Sequence, residues 1–593
     1  MATVTTTRKS CSVNPLKMSQ PIGGALAFMG IANCMPVLHG SQGCTAFGLV
    51  LFVRHFREAI PLQTTAMNEV TTIMGGRENI EQALLNIYKR AKPEIIGLCT
   101  TGLTETRSED IHGDLKTIRA RNPELASLPI VFVDTPDFKD AFQDGWAKAV
   151  SRIIQELVEQ TSETIPSQVN LLAGCHLTAA DIEEIVEIVE AFGLSPVVLP
   201  DISGSLDGHV PDTFSPTTMG GATVDEIRSM GCSIATLAIG QQMESPALEL
   251  EMRTGVPYAV FDSLLGLDAN DRLLAHLSTL SGKPVPLKYR RQRSQLLDAM
   301  LDGHFFFGGK KIAIGAEPDL LWSLGNLLAG MGCELAAVVT TTHSPLLEAM
   351  PCAEVLIGDL EDLESRATGC DLIITHSHGR QAAERLGIPL FRTGLPCFDR
   401  LGANHKLSVG YRGTRDLIFQ LGNVFIEHTH EGEPDSWPLP GQTMKPLRRL
   451  RLCSPNQGAK GMKIAFATQD LQRVDAHFGW AKNLAVYEIS PEGYHLLEAI
   501  QFAGDLKEDG DEDKLAPKIE AIKDCAILYV AAIGGSAAAR VVAHKIHPIK
   551  VNEPEVITEI LSKLQDVLKG APPPWLRKAL AKGEERELNF EDD

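Results

Sequence analysis

One short stretch contains residue types that could hold an inorganic cofactor: His39-Gly40-Ser41-Gln42-Gly43-Cys44. It lies between two apolar runs, Gly23 to Met35 and Phe47 to Val53, which predicts that the cysteine sits on a tight turn between buried elements. A thiolate presented from such a turn suits an iron–sulfur cluster. Because a cubane cluster takes four ligands, most of the others must come from elsewhere, most simply from a partner chain. From spacing alone, the commoner alternative is a small buried side chain in a turn.

The remaining cysteines do not extend this pattern. Twelve cysteines are scattered through the chain without a CxxC pair. In a chain of 593 residues this is no disulfide framework; it is typical of a reducing compartment and predicts a cytoplasmic protein. Cys34 is surrounded by apolar residues and is interpreted as core packing, not as a second ligand. Cys11 lies in a polar N-terminal segment and receives no role.

Composition and charge exclude several classes of protein. The chain is 44% hydrophobic and 22% charged, an ordinary globular balance, with a formal net charge of −20 that argues against nonspecific nucleic-acid binding. The N-terminal residues 1–14 lack an apolar core, so no signal peptide is predicted. No uninterrupted apolar stretch reaches about 18 residues, so no membrane span is predicted.

Alternating short apolar strands and helical patterns predict an α/β protein with three Rossmann-like parallel-sheet domains. The predicted divisions are 1–165, 166–300 and 301–430, then a Pro- and Gly-rich linker 431–461, a further domain 462–570 and a tail 571–593. Thr178 and Asp181 form a helix-start signal in the second domain. No GxGxxG follows the first strand of the third domain, so dinucleotide binding is not supported.

Two groups of polar residues leave alternatives open. The turns 100–102 and 134–138 follow predicted strands, so they either face a cluster or partner or are ordinary loops. The spacing of the pairs His376/His378 and His428/His430 resembles that of metal ligands. Without a third ligand, each pair is interpreted as structural.

Two further motifs strengthen the interpretation of Cys44: RHFRE at Arg54–Glu58 and TTAMNE at Thr64–Glu69. With HGSQGC, they make residues 15–69 resemble the β-type chains of the nitrogenase component 1 family, most closely its cofactor-scaffold branch. The resemblance implies that Cys44 ligates a [4Fe–4S] cluster at the interface with a NifE-like chain, whose cysteines supply the remaining ligands.

The alternative within the same family is the catalytic nitrogenase molybdenum–iron protein β-subunit, which places three cysteines around a larger P-cluster. By the resemblance, the first of these falls on Ser19, the second on Cys44 and the third on Gly102. Two of the three thiolates are missing, which favours the scaffold over the catalytic subunit. A nucleotide-binding or transferase enzyme on Rossmann-like domains is a second alternative, but it would need a phosphate loop that the sequence lacks.

The last domain carries its own motifs, VDAHFG ending at Gly479 and the segment from Glu512 to Arg540. They resemble NifX-like cofactor carriers, a domain type that also ends NifB and forms NafY, with a ribonuclease H-like fold. The resemblance implies that His477 takes part in holding an iron–sulfur cofactor. Imidazole is a good iron ligand, and Gly479 leaves room beside it. A histidine that caps a turn is the alternative.

Other residues of this domain are candidates for the same site. Gly534, Gly535 and Ser536 open a predicted helix, whose N-terminal amides favour an anionic cluster. Cys525, at the start of a predicted strand, is a weaker candidate ligand.

The two resemblances together imply a non-enzymatic scaffold for nitrogenase iron–molybdenum cofactor assembly, with a fused carrier domain. They imply an α2β2 heterotetramer with the NifE-like chain and a transient precursor from a NifB-type donor. They also imply that the nitrogenase iron protein assists maturation and that the finished cofactor is delivered to the apo-nitrogenase molybdenum–iron protein.

Overall fold

A computed structural model describes residues 1–9, 11–429, 449–451, 462–491, 493–502, 515–544, 546–551 and 553–569. The chain divides into two compact units, Met1–Pro434 and Asp435–Asp593. Most of the predicted linker 431–461, the acidic segment 505–514 and the tail 571–593 lie outside the described residues. No helix in the described part is both long and apolar enough to cross a membrane.

The first part of the first unit alternates short strands with helices. Its elements are β1 (Thr3–Thr6), α1 (Gln20–Met29), β2 (Cys34–His39), α2 (Gln42–Phe56), β3 (Gln63–Thr64), α3 (Glu69–Met74), α4 (Arg77–Ala91), β4 (Ile95–Thr100), α5 (Gly102–Glu105), α6 (Ile111–Arg121), β5 (Ile130–Val133) and α7 (Phe142–Leu157). Four strands form a parallel sheet in the order β3-β2-β4-β5. Their carboxyl ends therefore meet at one edge, where parallel sheets place their sites.

The apolar run from Gly23 to Met35 predicts one buried helix, and the second half of that prediction is wrong. The helix α1 ends at Met29, and Asn33 turns the chain with a φ of 51°. Every residue of β2 is buried. A strand buried on both faces has no polar alternation that would distinguish it from a buried helix. Cys34, the first residue of β2, lies fully buried in the core.

A second parallel sheet follows, in the order β7-β6-β8-β9. Its elements are β6 (Gln168–Leu172), α8 (Ala179–Ala191), β7 (Ser195–Leu199), α9 (Val224–Arg228), β8 (Thr236–Ile239), α10 (Glu244–Thr254), β9 (Tyr258–Phe261), α11 (Leu267–Ser281) and α12 (Leu287–Phe307). The predicted helix start of α8 is confirmed, because Thr178 and Asp181 exchange side-chain-to-backbone hydrogen bonds of 3.1 Å. The indole of Trp146 on α7 donates to the carbonyl of Ala173 at 2.9 Å and ties the first sheet's helical layer to the second sheet.

The third sheet has six parallel strands in the order β1-β12-β11-β10-β13-β14. Its elements after α12 are β10 (Lys311–Ala316), α13 (Pro318–Gly330), β11 (Glu334–Thr340), β12 (Glu354–Ile357), α14 (Leu360–Arg366), β13 (Leu372–Thr375), α15 (Arg380–Leu386), β14 (Leu390–Arg392) and α16 (Gly410–Thr429). The strand β1 comes from the predicted first domain but pairs here, with Thr3 opposite Glu354. The Lys9 amine reinforces this edge, because it lies 2.8 Å from the Asp359 carboxylate and 2.9 Å from that of Asp362.

The second unit contains a mixed sheet. Its elements are β15 (Arg449–Arg451), β16 (Met462–Thr468), β17 (Arg473–Val474), β18 (Asn483–Ile489), β19 (Tyr494–Gln501), α17 (Leu515–Ala521), β20 (Ile527–Val530), α18 (Gly535–Ala543), β21 (His547–Lys550), β22 (Glu555–Val556) and α19 (Ile557–Lys569). The sheet order is β15-β19-β18-β16-β20-β21, with antiparallel pairs on one side of β16 and parallel pairs on the other. The predicted α/β class, with several parallel sheets, is confirmed.

Candidate functional site

Cys44 lies in the first turn of a helix and not on a free turn. The strand β2 ends at His39, Ser41 caps α2, and Cys44 is the third residue of that helix. The thiol is partly exposed, and its hydrogen-bond neighbour is the Ser41 hydroxyl at 3.5 Å. The N-terminus of a helix carries a partial positive charge, which stabilises an anionic thiolate or an anionic cluster bound to it.

A buried polar network holds the loop that precedes Cys44. The ring of His39 is completely buried, with Nδ1 2.8 Å from the Thr65 hydroxyl and Nε2 3.1 Å from the Glu109 carboxylate. Glu109 also accepts from the backbone N–H of Gly76 at 3.2 Å. The hydrogen bond from His39 holds the pKa of Glu109 below its usual value. The network therefore fixes the conformation of the loop, because His39 and Glu109, its two ionisable side chains, are paired with each other.

The predicted turn after β4 packs directly against the same loop. The hydroxyls of Thr101 and Thr104 both donate to the carbonyl of His39, at 3.0 and 3.2 Å. Gly40 must lack a side chain, because a Cβ there would lie 2.2 Å from Thr101 Oγ1. This turn positions the Cys44 loop from behind.

Ser19 and Gly102, the two positions that would carry further P-cluster thiolates, have structural roles. Ser19 is the N-cap residue of α1. A Cβ at Gly102 would lie 1.9 Å from the Asp137 carboxylate, so that carboxylate occupies the space a side chain at 102 would need. Of the three aligned positions, Cys44 alone carries a thiol.

The surface beside Cys44 is unusually apolar. On α2, Phe47, Val50 and Val53 are exposed, with Phe47 retaining 81% of its full accessibility. On α3, Val70 and Ile73 are exposed as well. Exposed apolar patches mark interaction surfaces for proteins or membranes, or grooves that bind ligands. Among the described residues, no group of three or more His, Cys, Asp or Glu side chains is arranged to hold a metal.

The RHFRE motif anchors the other end of α2. The Arg54 guanidinium lies 4.0 Å from the centre of the Phe398 ring, and Arg57 donates to the Phe398 carbonyl at 2.9 Å. His55 Nδ1 accepts from the backbone N–H of Cys397 at 2.9 Å. These contacts dock the helix that begins near Cys44 onto the segment after β14, so the motif has a positioning role.

The histidine pairs also serve the fold where they are described. His376 is buried, its Nε2 lies 3.1 Å from the Leu16 carbonyl, and its Nδ1 accepts from the His378 backbone N–H at 3.3 Å. His428 Nδ1 lies 2.9 Å from the Val424 carbonyl, and His430 lies outside the described residues.

In the second unit, His477 begins a short helical turn. Its Nδ1 accepts from the backbone N–H of Gly479 at 3.2 Å, and its ring stacks on Trp480 with 4.3 Å between ring centres. The capping contact considered as the alternative is therefore present. Because Nδ1 accepts this N–H, the proton of the neutral ring lies on Nε2. Iron ligation by Nε2 therefore requires that the Nδ1 contact rearrange or that the ring lose its proton.

No sequence motif points to Lys518, although its side chain contacts the same turn. Its amine donates to the carbonyls of Phe478, Gly479 and Ala481 at 3.2, 2.7 and 2.9 Å. The side chain is buried, and burial lowers its pKa to about 8. A lysine beside Ile519 and Ile522, on the inward side of α17, was the only signal in the sequence.

The structure brings the His477 turn next to the predicted glycine-rich segment. Phe478 donates its backbone N–H to the Ala532 carbonyl at 2.8 Å, and Gly534 caps α18, which begins at Gly535 and continues through Ser536. Gly534 is exposed, and nothing lies within 4 Å of the position of a Cβ there. The amides at the start of α18 therefore lie on the same side of the domain as the His477 turn.

Cys525, in contrast, is separated from these residues. It precedes β20, whereas Ala532 follows the same strand, so the strand's length of roughly 3.3 Å per residue lies between them. Cys525 is buried in the core, and burial raises its pKa to about 12. A buried neutral thiol at the opposite end of the strand does not join the His477 site.

Comparison with known proteins agrees with the division of the chain into two units. Residues 19–426 match the family of nitrogenase component 1 type oxidoreductases, and residues 460–567 match the dinitrogenase iron-molybdenum cofactor family. A solved structure titled nitrogenase Cp1 at pH 6.5 superposes with a TM-score of 0.69 at 30% identity, covering 72% of this chain and 96% of that one. The fold and the two family matches thus define a nitrogenase component 1 type chain that is joined to a cofactor-family domain.

The relatives narrow the class further. The nitrogenase iron-molybdenum cofactor biosynthesis protein NifN of Bradyrhizobium diazoefficiens is 60% identical over 445 residues, which cover 74% of this chain and 95% of that protein. NifN of Nostoc sp. is 54% identical over 427 residues, which cover 72% and 96% respectively. The chain belongs to the NifN family of the nitrogenase component 1 type proteins and carries an additional domain after the shared part.

Proposed function

We propose that this chain is a scaffold subunit for assembly of the nitrogenase iron–molybdenum cofactor and that it works as an α2β2 heterotetramer with a NifE-like chain. The observation that carries the proposal is Cys44. It is a partly exposed thiol at a helix N-terminus, beside an exposed apolar face and without companion ligands among the described residues. Such a thiol gains a function when a second protein covers the face and adds its own thiolates.

The residues around Cys44 fit a shared [4Fe–4S] cluster. Beside Gly43 there is open space, because the nearest heavy atom to a Cβ built there is the Ser41 hydroxyl at 3.8 Å. The helix N-terminus favours the negative charge of a thiolate-bound cluster. When bound, the cluster would supply a redox centre at the chain–chain boundary. This chain would contribute the Cys44 thiolate, the orientation of the loop and apolar cover against water.

The catalytic β-subunit is the less favoured function. Ser19 and Gly102 offer no thiolates, and the Asp137 carboxylate fills the space beside Gly102. We therefore propose that the chain is not itself catalytic. We also propose that it acts in the cytoplasm. In this function it accepts precursor from a NifB-type donor, matures it with the nitrogenase iron protein and passes it to the apo-nitrogenase molybdenum–iron protein.

We further propose that the second unit carries the precursor or the finished cofactor as cargo. His477 would supply an imidazole ligand, Gly479 the clearance beside it, and the amides of Gly534, Gly535 and Ser536 the favourable field for an anionic cluster. The proximity of these segments through the bond from Phe478 to Ala532 supports this site. Covalent fusion would hold carrier and scaffold at an effective concentration of order millimolar.

The scaffold proposal is tested by anaerobic co-purification with the NifE-like partner, followed by iron and acid-labile sulfide counts. Cys44→Ala should lower or destabilise the interface cluster, whereas Cys11→Ala, which removes an exposed cysteine in the N-terminal segment, should leave the counts unchanged. Equal iron and sulfide in wild type and Cys44→Ala would reject Cys44 as a ligand. Purification as a lone chain that neither binds the partner nor holds iron would reject the scaffold function.

The carrier proposal has a separate test. Uptake of the iron–sulfur precursor by the full chain should fall in His477→Ala and remain in His495→Ala, which removes an exposed histidine of β19 in the same unit. Unchanged uptake in His477→Ala would reject that ligand without affecting the assignment of Cys44.

A further inference from the structure

The first unit contains a cavity whose wall does not include Cys44. Its volume is about 520 Å³, within the range of small-molecule pockets. Its walls include residues that follow three parallel strands: Cys175 after β6, Leu264 after β9 and Thr393 after β14. Ligands of α/β proteins bind beyond the carboxyl ends of such strands.

Most of the cavity wall is apolar. Leu177, Leu265, Leu320, Leu390 and Val409 are among the side chains that line it. An apolar wall of this kind binds the hydrocarbon part of a ligand and leaves few positions for polar groups. The few polar groups therefore decide which ligand fits.

The half-buried Lys406 is a cation of the cavity wall. Its amine lies 3.6 Å from the centre of the Phe391 ring, and it forms no salt bridge with a carboxylate of the described chain. The nearby Asp181 carboxylate is already occupied, because it accepts from the backbone N–H groups of Ser408 and Val409 and from the Ser408 hydroxyl. Asp181 therefore acts on the amine only through space, and no carboxylate of the described chain contacts the amine directly.

A second donor faces the same space. His55 lines the cavity, and its Nδ1 accepts from the Cys397 backbone N–H at 2.9 Å. Burial lowers the pKa of His55 to about 4, so the ring is neutral and its proton lies on Nε2. Arg392 adds no free charge because it pairs with Asp399 at 2.8 Å, and Arg400 is exposed.

We propose that this cavity binds a small organic monocarboxylate with an apolar body. The Lys406 ammonium pairs with the carboxylate, the His55 Nε2–H is placed to donate a hydrogen bond, and the leucine-rich wall covers the hydrocarbon. One inner cation matches one carboxylate, and a ligand with several charges would leave the others buried without partners. The site lies outside the proposed cluster function and stands or falls independently of it.

The pH dependence of binding follows from the same groups. Burial lowers the pKa of Lys406 to about 8, while Asp181 and the Cys397 thiol oppose that shift. The other charged or titratable groups on the cavity wall are Arg392, Arg400, His55, His176 and Cys175. Binding of a carboxylate should therefore weaken above pH 8, as the amine loses its proton.

Isothermal titration of the full-length protein with octanoate and with methyl octanoate, at pH 7.0 and 9.5, tests the proposal. The acid should bind roughly 10- to 100-fold more tightly than the ester at pH 7, the range expected for a hydrogen bond to a charged group. That preference should disappear in Lys406→Met and persist in Lys89→Met, which removes an exposed lysine of α4. Octanoate binding should also weaken at pH 9.5 in the wild type.

Either of two results would overturn the proposal. One is that neither octanoate nor its ester binds the wild-type protein at pH 7. The other is that acid and ester bind equally well to the wild type, which would leave an apolar cavity without an anion site. The wild-type comparison needs no variant, so it decides the question even if Lys406→Met does not fold.

Discussion

Replacement of Lys518 by methionine should loosen the His477 turn and destabilise the second unit. The lysine amine joins α17 to three carbonyl acceptors of that turn, those of Phe478, Gly479 and Ala481, at 3.2, 2.7 and 2.9 Å. Methionine has a similar length and fits an apolar environment, but it cannot donate a hydrogen bond. The substitution therefore removes the donor and retains most of the packing.

The magnitude follows from two opposing free energies. Burial lowers the pKa of Lys518 to about 8, which corresponds to a cost of about 3 kcal/mol for keeping the amine charged. Hydrogen bonds from a charged donor contribute about 1.5–3 kcal/mol each, so three of them outweigh that cost. We expect Lys518→Met to lower the unfolding free energy by about 3 kcal/mol, or Tm by roughly 12–24 °C for a domain of about 100 residues.

Calorimetry of the full-length protein, which records the melting of the second unit, is the assay. Lys563→Met is the matched control, because Lys563 is 69% exposed and pairs with Glu555 at 3.2 Å on the surface. An exposed ion pair contributes only about 0–1 kcal/mol, so the control should melt close to the wild type. Equal melting of the two variants would show that the Lys518 amine does not clamp the turn, and the account of how His477 is positioned would be wrong.

Three further predictions concern the first unit. Burial raises the pKa of Asp319 to about 6. The stability that the protonated carboxyl contributes is therefore complete below pH 4 and lost towards pH 6. In denaturant unfolding, the unfolding free energy of Asp319→Asn should gain about 3 kcal/mol relative to the wild type between pH 4 and 7.5. Glu109→Ala should cost about 3–5 kcal/mol in the same assay because it leaves His39 buried without its partner, and a loss below 1 kcal/mol would contradict the network. Phe47→Asp should leave the isolated chain stable within about 0.5 kcal/mol but weaken assembly with the partner at least tenfold by sedimentation; unchanged assembly would remove this face from the interface.

The parallel sheets were predictable because their strands are short apolar runs between helical patterns. The helix start at Thr178 was predictable for a local reason: the two residues that exchange hydrogen bonds are three positions apart. Cys44 was proposed as a ligand from residue type and motif, but the predicted tight turn is the first turn of α2. For the helix start at Thr178, the decisive interaction lies within a few residues of the signal.

The features that escaped prediction depend on contacts between distant residues. Thr3 pairs opposite Glu354, and nothing in the polar N-terminal segment specifies that partner. The prediction of a helix where β2 lies failed for a local reason. A fully buried strand and a buried helix share the same apolar composition, so the sequence does not distinguish them. Lys518 contacts carbonyls about forty positions earlier, and backbone acceptors leave no trace in the sequence.

The two candidate ligands share one physical arrangement within their separate units. Behind Cys44, the hydroxyls of Thr101 and Thr104 hold the carbonyl of His39, and behind His477 the amine of Lys518 holds the turn. In both places the supporting hydrogen bonds end on backbone carbonyls, so they constrain the loop without adding a second metal ligand. A site with one protein ligand binds a cluster weakly unless another molecule completes the coordination. That property suits a protein that shares one cluster with a partner and releases another as cargo, and it predicts that adding a second thiolate would hinder release.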